Sequence, residues 1–216
     1  MRAAAMMLRF QVLVASALTF GCNSDPAAPE PDPFEDQQAA YPPGPYGYTP
    51  GSILEDFEFM GLLNPKAVNY EASDKTLTKI AMHDFYNPGK DPSKPRALLV
   101  TESALWCAVF QVEGQSANDG HSYWRPKGVE FLELVFEDEN HERSEPKDLT
   151  AWTQNFGLEF PSALDPYLLL GSFFSKSNAP FNMVVDLATM KITYTQEGLM
   201  DTGPDNPSFS AIVQTQ

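Results

Sequence analysis

The run Ala97-Leu98-Leu99-Val100 constrains the fold more than any other feature of this chain. Four consecutive apolar residues between Arg96 and Thr101 suit a strand buried on both faces, and such strands belong to sheets with covered faces. The chain is therefore expected to be α/β, with a sheet at its centre. Val129 to Phe136 is the clearest second strand, rich in β-branched and aromatic residues. Ile53 to Phe59 and Leu77 to Ile80 read as short strands at the domain entrance, an N-terminal strand extension. The stretch after Cys107 reads as a helix whose later turns are weakened by Gly114 and Gly120. Pro146 to Phe156 reads as a helix with Ser144 as N-cap, Gly157 as stop, and Leu149, Trp152 and Phe156 along its core side. Leu158 to Phe160 suggests a short strand and Tyr167 to Phe174 a second short helix. Phe181 to Leu187 and Lys191 to Tyr194 then form a hairpin around Ala188-Thr189. That order predicts an α/β sandwich with a central mixed sheet.

Ahead of this domain, residues 1–21 read as a signal peptide: Arg2 and Arg9, a short apolar run from Phe10 to Phe20, then Gly21-Cys22. Leu18-Thr19-Phe20-Gly21-Cys22 resembles the lipobox of bacterial lipoproteins, although the family prefers Leu where Thr19 stands. The resemblance implies a lipid on Cys22 and a mature chain held at the periplasmic or outer surface of a bacterial membrane. An ordinary secretory signal would instead leave Cys22 free to pair with Cys107. Residues 22–50 carry eight of the nineteen prolines among acidic and small residues, and read as a tether. Residues 51–216 form the predicted domain. Loss of Arg2 and Arg9 with the signal takes the formal charge from −15 to −17. That surface, without a basic patch legible in the sequence, argues against a nucleic-acid partner.

Chemistry centres on Cys107. Ser103-Ala104-Leu105-Trp106-Cys107 follows a buried strand and opens a helix. A cysteine there meets unpaired N–H groups and the positive end of the helix dipole, both of which favour a thiolate. A thiolate is the nucleophile of disulfide exchange.

Trp106-Cys107 after the Ala97 strand, the strand to Phe136, and Ala179-Pro180 directly before the Phe181 strand resemble the thioredoxin-like superfamily. The resemblance is in particular to its exported redoxin group of TlpA-like and AhpC/TSA proteins. The resemblance implies a thioredoxin-like three-layer sandwich, a cis Pro180 against the nucleophile Cys107, and Ala179 as the backbone edge on which substrates pair. Trp106, beside the nucleophile in the Trp-Cys motif, is carried over with them as a site residue. Two departures stand out. The family's Trp-Cys-x-x-Cys becomes Trp106-Cys107-Ala108-Val109-Phe110, so a dithiol cycle at this motif is chemically excluded. Ala104 stands where the peroxidase branch has a hydroxyl residue, and Val100 where it has proline. Glu102 lies near a buried acid of some members, but reads here as solvated.

Other constellations are thin. His83, His121 and His141 are widely spaced, and His121 on a continuous helix would lie about 20 Å from Cys107. Glu137-Asp138-Glu139 with Glu142 reads as a solvated loop, and Trp152 with Phe156 as core. No cofactor and no metal are expected. Two functions follow: a monothiol redox protein of the thiol-disulfide or antioxidant type, acting through Cys107 on protein thiols or disulfides or with an external reductant; or a redox-inactive binding or scaffolding module with Cys107 as a small buried hydrophobe.

Overall fold

A computed structural model describes residues 40–204 and 206–214. The signal peptide, Cys22 and most of the predicted tether lie outside the described residues. Among the described residues, seven strands form one mixed sheet in the order β2-β1-β5-β4-β3-β6-β7. They are β1 (Glu58–Leu62), β2 (Thr78–Ala81), β3 (Ala97–Ser103), β4 (Val129–Val135), β5 (Ser162–Leu164), β6 (Phe181–Asp186) and β7 (Lys191–Glu197). The helices are α1 (Met82–Phe85), α2 (Ala108–Trp124), α3 (Pro146–Phe156) and α4 (Pro207–Gln214). β3 lies parallel to β4 and antiparallel to β6.

All seven residues of β3 are buried, and alternation divides them between two cores. Ala97 and Leu99 join Phe110, Ala117 and Trp124 of α2, Trp152 of α3, and Phe209 and Val213 of α4. Leu98 and Val100 face the other way, onto Leu54, Ile80, Met82 and Leu170, with Tyr41, Phe57 and Phe173 packed around them. The sheet is thus the middle of three layers, helices on one face and the N-terminal segment with α1 on the other. Tyr41 and Tyr46 lie in the stretch read as tether, yet the packed chain reaches back to them. Tyr41 donates its hydroxyl to the Leu54 carbonyl at 2.9 Å, and Tyr46 bridges Ile53.

Several local expectations are corrected. The strand at the entrance is Glu58–Leu62, later than Ile53 to Phe59. α2 runs unbroken through Gly114 and Gly120 because both glycines make room: a Cβ at Gly114 would meet the Phe156 ring at 2.9 Å, and one at Gly120 the Thr202 hydroxyl at 2.4 Å. The N-cap of α3 is Glu145; Ser144 instead donates to the Val135 carbonyl at 2.6 Å, which ties the loop back to β4. The short strand is Ser162–Leu164, past Leu158 and Phe160, which are buried in the helical core. The segment after Tyr167 makes only a 3-10 turn, Leu169–Ser172.

Gly61 makes the close pairing of β1 on β5 possible. It stands opposite Ala163, and a Cβ there would lie 2.5 Å from both the Ala163 methyl and the Ser162 carbonyl. Because the obstacle includes backbone, Gly61→Ala is expected to cost about 2 kcal/mol. Urea unfolding checks this; an unchanged midpoint would refute the packing of β1 on β5.

Candidate functional site

The site forms where β3 hands over to α2. Cys107 is the N-cap of this 17-residue helix, in extended conformation, and its side chain makes no cap hydrogen bond. The turn before it is fixed by its own N–H bonding to Ala104 O at 3.0 Å and by the Gln111 amide donating to Leu105 O at 3.1 Å. Its thiol forms no disulfide among the described residues and points across the loop to the Ala179 carbonyl, Sγ to O 3.4 Å. The Ala179–Pro180 peptide bond is cis. Cys107, Ala179 and Pro180, chosen from sequence, are thus brought together although 72 residues separate the first two. Cys107 is only 5 % exposed.

Trp106 is held by two neighbours. Its indole N–H donates to Glu137 Oε2 at 3.0 Å, and His141 stacks on its ring with centroids 4.9 Å apart. The other Glu137 oxygen takes the Lys176 ammonium. One carboxylate therefore ties the Trp106 loop, the loop after β4 and the segment leading to Ala179. This corrects the reading of Glu137 as solvated: its side chain is 12 % exposed. Asp138 is held below the usual carboxylate range, first by the Glu142 amide; it closes its own loop by accepting from Asn140 and Glu142.

Phe110 occupies the place of a second cysteine. It is fully buried and stacks on Trp152 at 3.9 Å with ring planes 10° apart. The Trp152 indole N–H in turn donates to Glu133 Oε2 at 2.6 Å. Glu133 belongs to a polar group between sheet and α2 that sequence reading missed. Thr101 donates to Asn182 at 2.8 Å, and Glu113 on α2 accepts the Met200 amide at 2.5 Å. Burial pushes Glu133 up to about 8, against the Trp152 hydrogen bond, with Glu113 adding to the shift. Burial likewise raises Glu113 to about 7, opposed by the Met200 amide and Asn182. The available signal was the alternation of β4: Glu133 shares a face with Phe131 and Val135, both of which point into the helical core.

Glu102 is also buried, not solvated, and lies on the opposite face with Leu98 and Val100. Neither of its oxygens finds a donor among the described residues. Burial first, then the facing Asp165 carboxylate, raises it well above the ordinary range. His121 pairs with Glu130 at 2.8 Å near the end of α2, away from Cys107. Among the described residues, no cluster of three or more His, Cys, Asp or Glu side chains is arranged to hold a metal, and no helix is long and apolar enough to cross a membrane.

Solved structures share this architecture. A secreted thiol-disulfide isomerase from Corynebacterium glutamicum aligns with a TM-score of 0.55 at 14 % identity, over 75 % of this chain and 83 % of its own. A DsbF homologue from Corynebacterium diphtheriae gives 0.54 at 12 %, over 82 % and 98 %. A candidate thiol:disulfide interchange protein DsbE from Chlorobium tepidum gives 0.53 at 13 %, over 78 % and 98 %. No family model and no curated protein matches the sequence. At such identities the likeness carries the fold alone: this chain has a thioredoxin-like fold with a mixed seven-stranded sheet.

Proposed function

We propose that this chain is an exported thioredoxin-fold protein, anchored to a membrane through a lipid on Cys22, that exchanges disulfides through the single thiol of Cys107. The observation that carries the reading is the position of that thiol, at the N-cap of α2 and 3.4 Å from the carbonyl preceding Pro180. Names of the structural neighbours agree with it, being thiol-disulfide proteins and in one case secreted.

The chemistry has two steps. The Cys107 thiolate attacks one sulfur of a partner disulfide; a bond from Cys107 to that sulfur forms as the partner's own S–S bond breaks, and the second partner sulfur leaves as a thiolate. Since Phe110 has no sulfur, a separate external thiol must then attack the mixed disulfide and return Cys107 to its reduced state. Trp106, held by Glu137 and His141, forms one wall beside the thiol. Ala179 offers its backbone to the partner once its carbonyl releases the Cys107 S–H.

One observation favours a second reading, a redox-inactive binding or scaffolding module: Cys107 is 5 % exposed and its S–H is occupied by Ala179 O. A single experiment separates the two. In the mature chain carrying Cys22→Ser, oxidised glutathione is expected to add one glutathione to the native protein, reversibly with dithiothreitol, and to add none to Cys107→Ser. Modification only after denaturation would defeat the monothiol proposal in favour of the inert module.

A further inference from the structure

At the other end of β3, on the order of 20 Å of strand away from Cys107, lies a cavity of about 430 Å³. Its walls are the loop from Asn87 to Arg96, the turn around Lys127 and Gly128, and the β6–β7 turn at Asp186 and Ala188. Four cations line it: Lys90, Lys94, Arg96 and Lys127. In a chain with 29 acidic and 14 basic residues, four cations gathered around one cavity stand out against the overall charge. Elsewhere among the described residues, Lys66, Lys79, Arg125, Lys147 and Lys176 sit in ion pairs, while Lys75, Arg143 and Lys191 do not. Among the described residues, none of the four around this cavity lies within ion-pair distance of a carboxylate.

The two acids in the lining offset only part of this charge, two carboxylates against four cations, with Lys94 acting on Asp91 through space. Asp91 accepts from the Ser93 amide and hydroxyl at 2.8 and 2.7 Å. Asp186 accepts from the Ala188 amide and the Thr189 hydroxyl at 3.0 and 2.7 Å. The walls are also fixed in place. The buried Asn87 side chain clamps its loop by donating to Asp91 O and Pro95 O and accepting from Asp91 N. Arg96 is pinned by the Lys127 and Val213 carbonyls, and Lys127 rests on the Tyr123 carbonyl and ring at the rim. Lys90 and Lys94 are both exposed, and their ammonium groups have no hydrogen-bond or ion-pair partner among the described residues.

We infer that this cavity binds a phosphoryl-bearing anion. A fixed guanidinium beside two ammonium groups suits a multivalent oxyanion, and the volume falls in the range of small-ligand sites. The same chemistry is offered by soluble phosphate esters and by phospholipid headgroups, and the test distinguishes them.

The mature chain is titrated with inorganic pyrophosphate at low ionic strength, with amide NMR shifts as the readout. Separately, it is sedimented without its lipid alongside phosphatidylcholine vesicles, with and without phosphatidylglycerol. Pyrophosphate is expected to shift the amides of residues 87–96 and 186–189. Lys90→Ala with Lys94→Ala is expected to weaken binding at least about tenfold, since each lost charge-assisted contact is worth roughly a factor of ten. Binding of pyrophosphate without vesicles supports a soluble ligand; co-sedimentation that needs phosphatidylglycerol and both lysines supports a headgroup. Failure of both probes, or binding that the double variant retains in full, overturns the site.

Discussion

Phe110→Cys is expected to do two opposing things at once: weaken the reduced protein by about 3 kcal/mol and create a disulfide with Cys107 that recovers part of the loss. The first effect follows from packing. Phe110 is fully buried and stacked on Trp152, and truncating a buried phenylalanine costs about 3–5 kcal/mol, with a sulfur retaining some contact and placing this change at the lower end. The second follows from helix geometry. Cys107 is the N-cap of α2 and Phe110 its third helical residue. These are the positions at which a capping side chain meets the backbone three residues on, within the Cα separation that a disulfide spans. Closing so short a loop is worth about 2 kcal/mol. The variant, carrying Cys22→Ser as well, is to be oxidised, and its free thiols counted before and after reduction, with urea midpoints in both states. Two free thiols persisting after oxidation would remove the helix-start geometry on which the redox proposal rests.

Much of this arrangement was legible in the residues. The Ala97 run identified the central strand because four consecutive apolar residues suit a strand covered on both faces, and all seven residues of this one are buried, Thr101, Glu102 and Ser103 included. Cys107 and Pro180 could be paired before any coordinates because each is defined by its neighbours in sequence: a strand-to-helix junction for one, a strand start for the other. What stayed hidden is polar and buried. Glu102 and Glu113 look like ordinary surface acids, and only the alternation of β4 hints that Glu133 is buried, yet folding removes all three from water. Glu137 looked like part of an acidic loop because its three ties, to Trp106, Lys176 and His141, come from segments distant in the chain or offset along it. The basic cavity was equally invisible, since its cations are spread from Lys90 to Lys127 and meet only when β3 and β4 pair.

Those hidden acids set the second large effect. Glu133 titrates at about 8 in the folded chain but near the ordinary glutamate value, about 4.3, when unfolded. Between those values the folded state binds the extra proton, so stability falls as pH rises. The contribution is complete below about pH 4.3 and is lost as pH climbs through 8. Glu113, raised to about 7, acts in the same direction, and its carboxyl adds to the shift of Glu133. Glu133→Gln cannot ionise, yet keeps an oxygen to accept the Trp152 indole N–H. It is therefore expected to match the parent protein near pH 5 and to exceed it at pH 8.5 by on the order of 3–5 kcal/mol, a large fraction of a typical domain's stability. Urea midpoints measured across pH 5–9 would show the parent declining, with the variant's slope shallower by about one proton. Parallel curves for the two proteins would mean that Glu133 is ionised in the folded state, its charge met by something other than Trp152. The ionisation of Glu113 would then also have to be revised, because the two carboxyls share one buried space between β4 and α2.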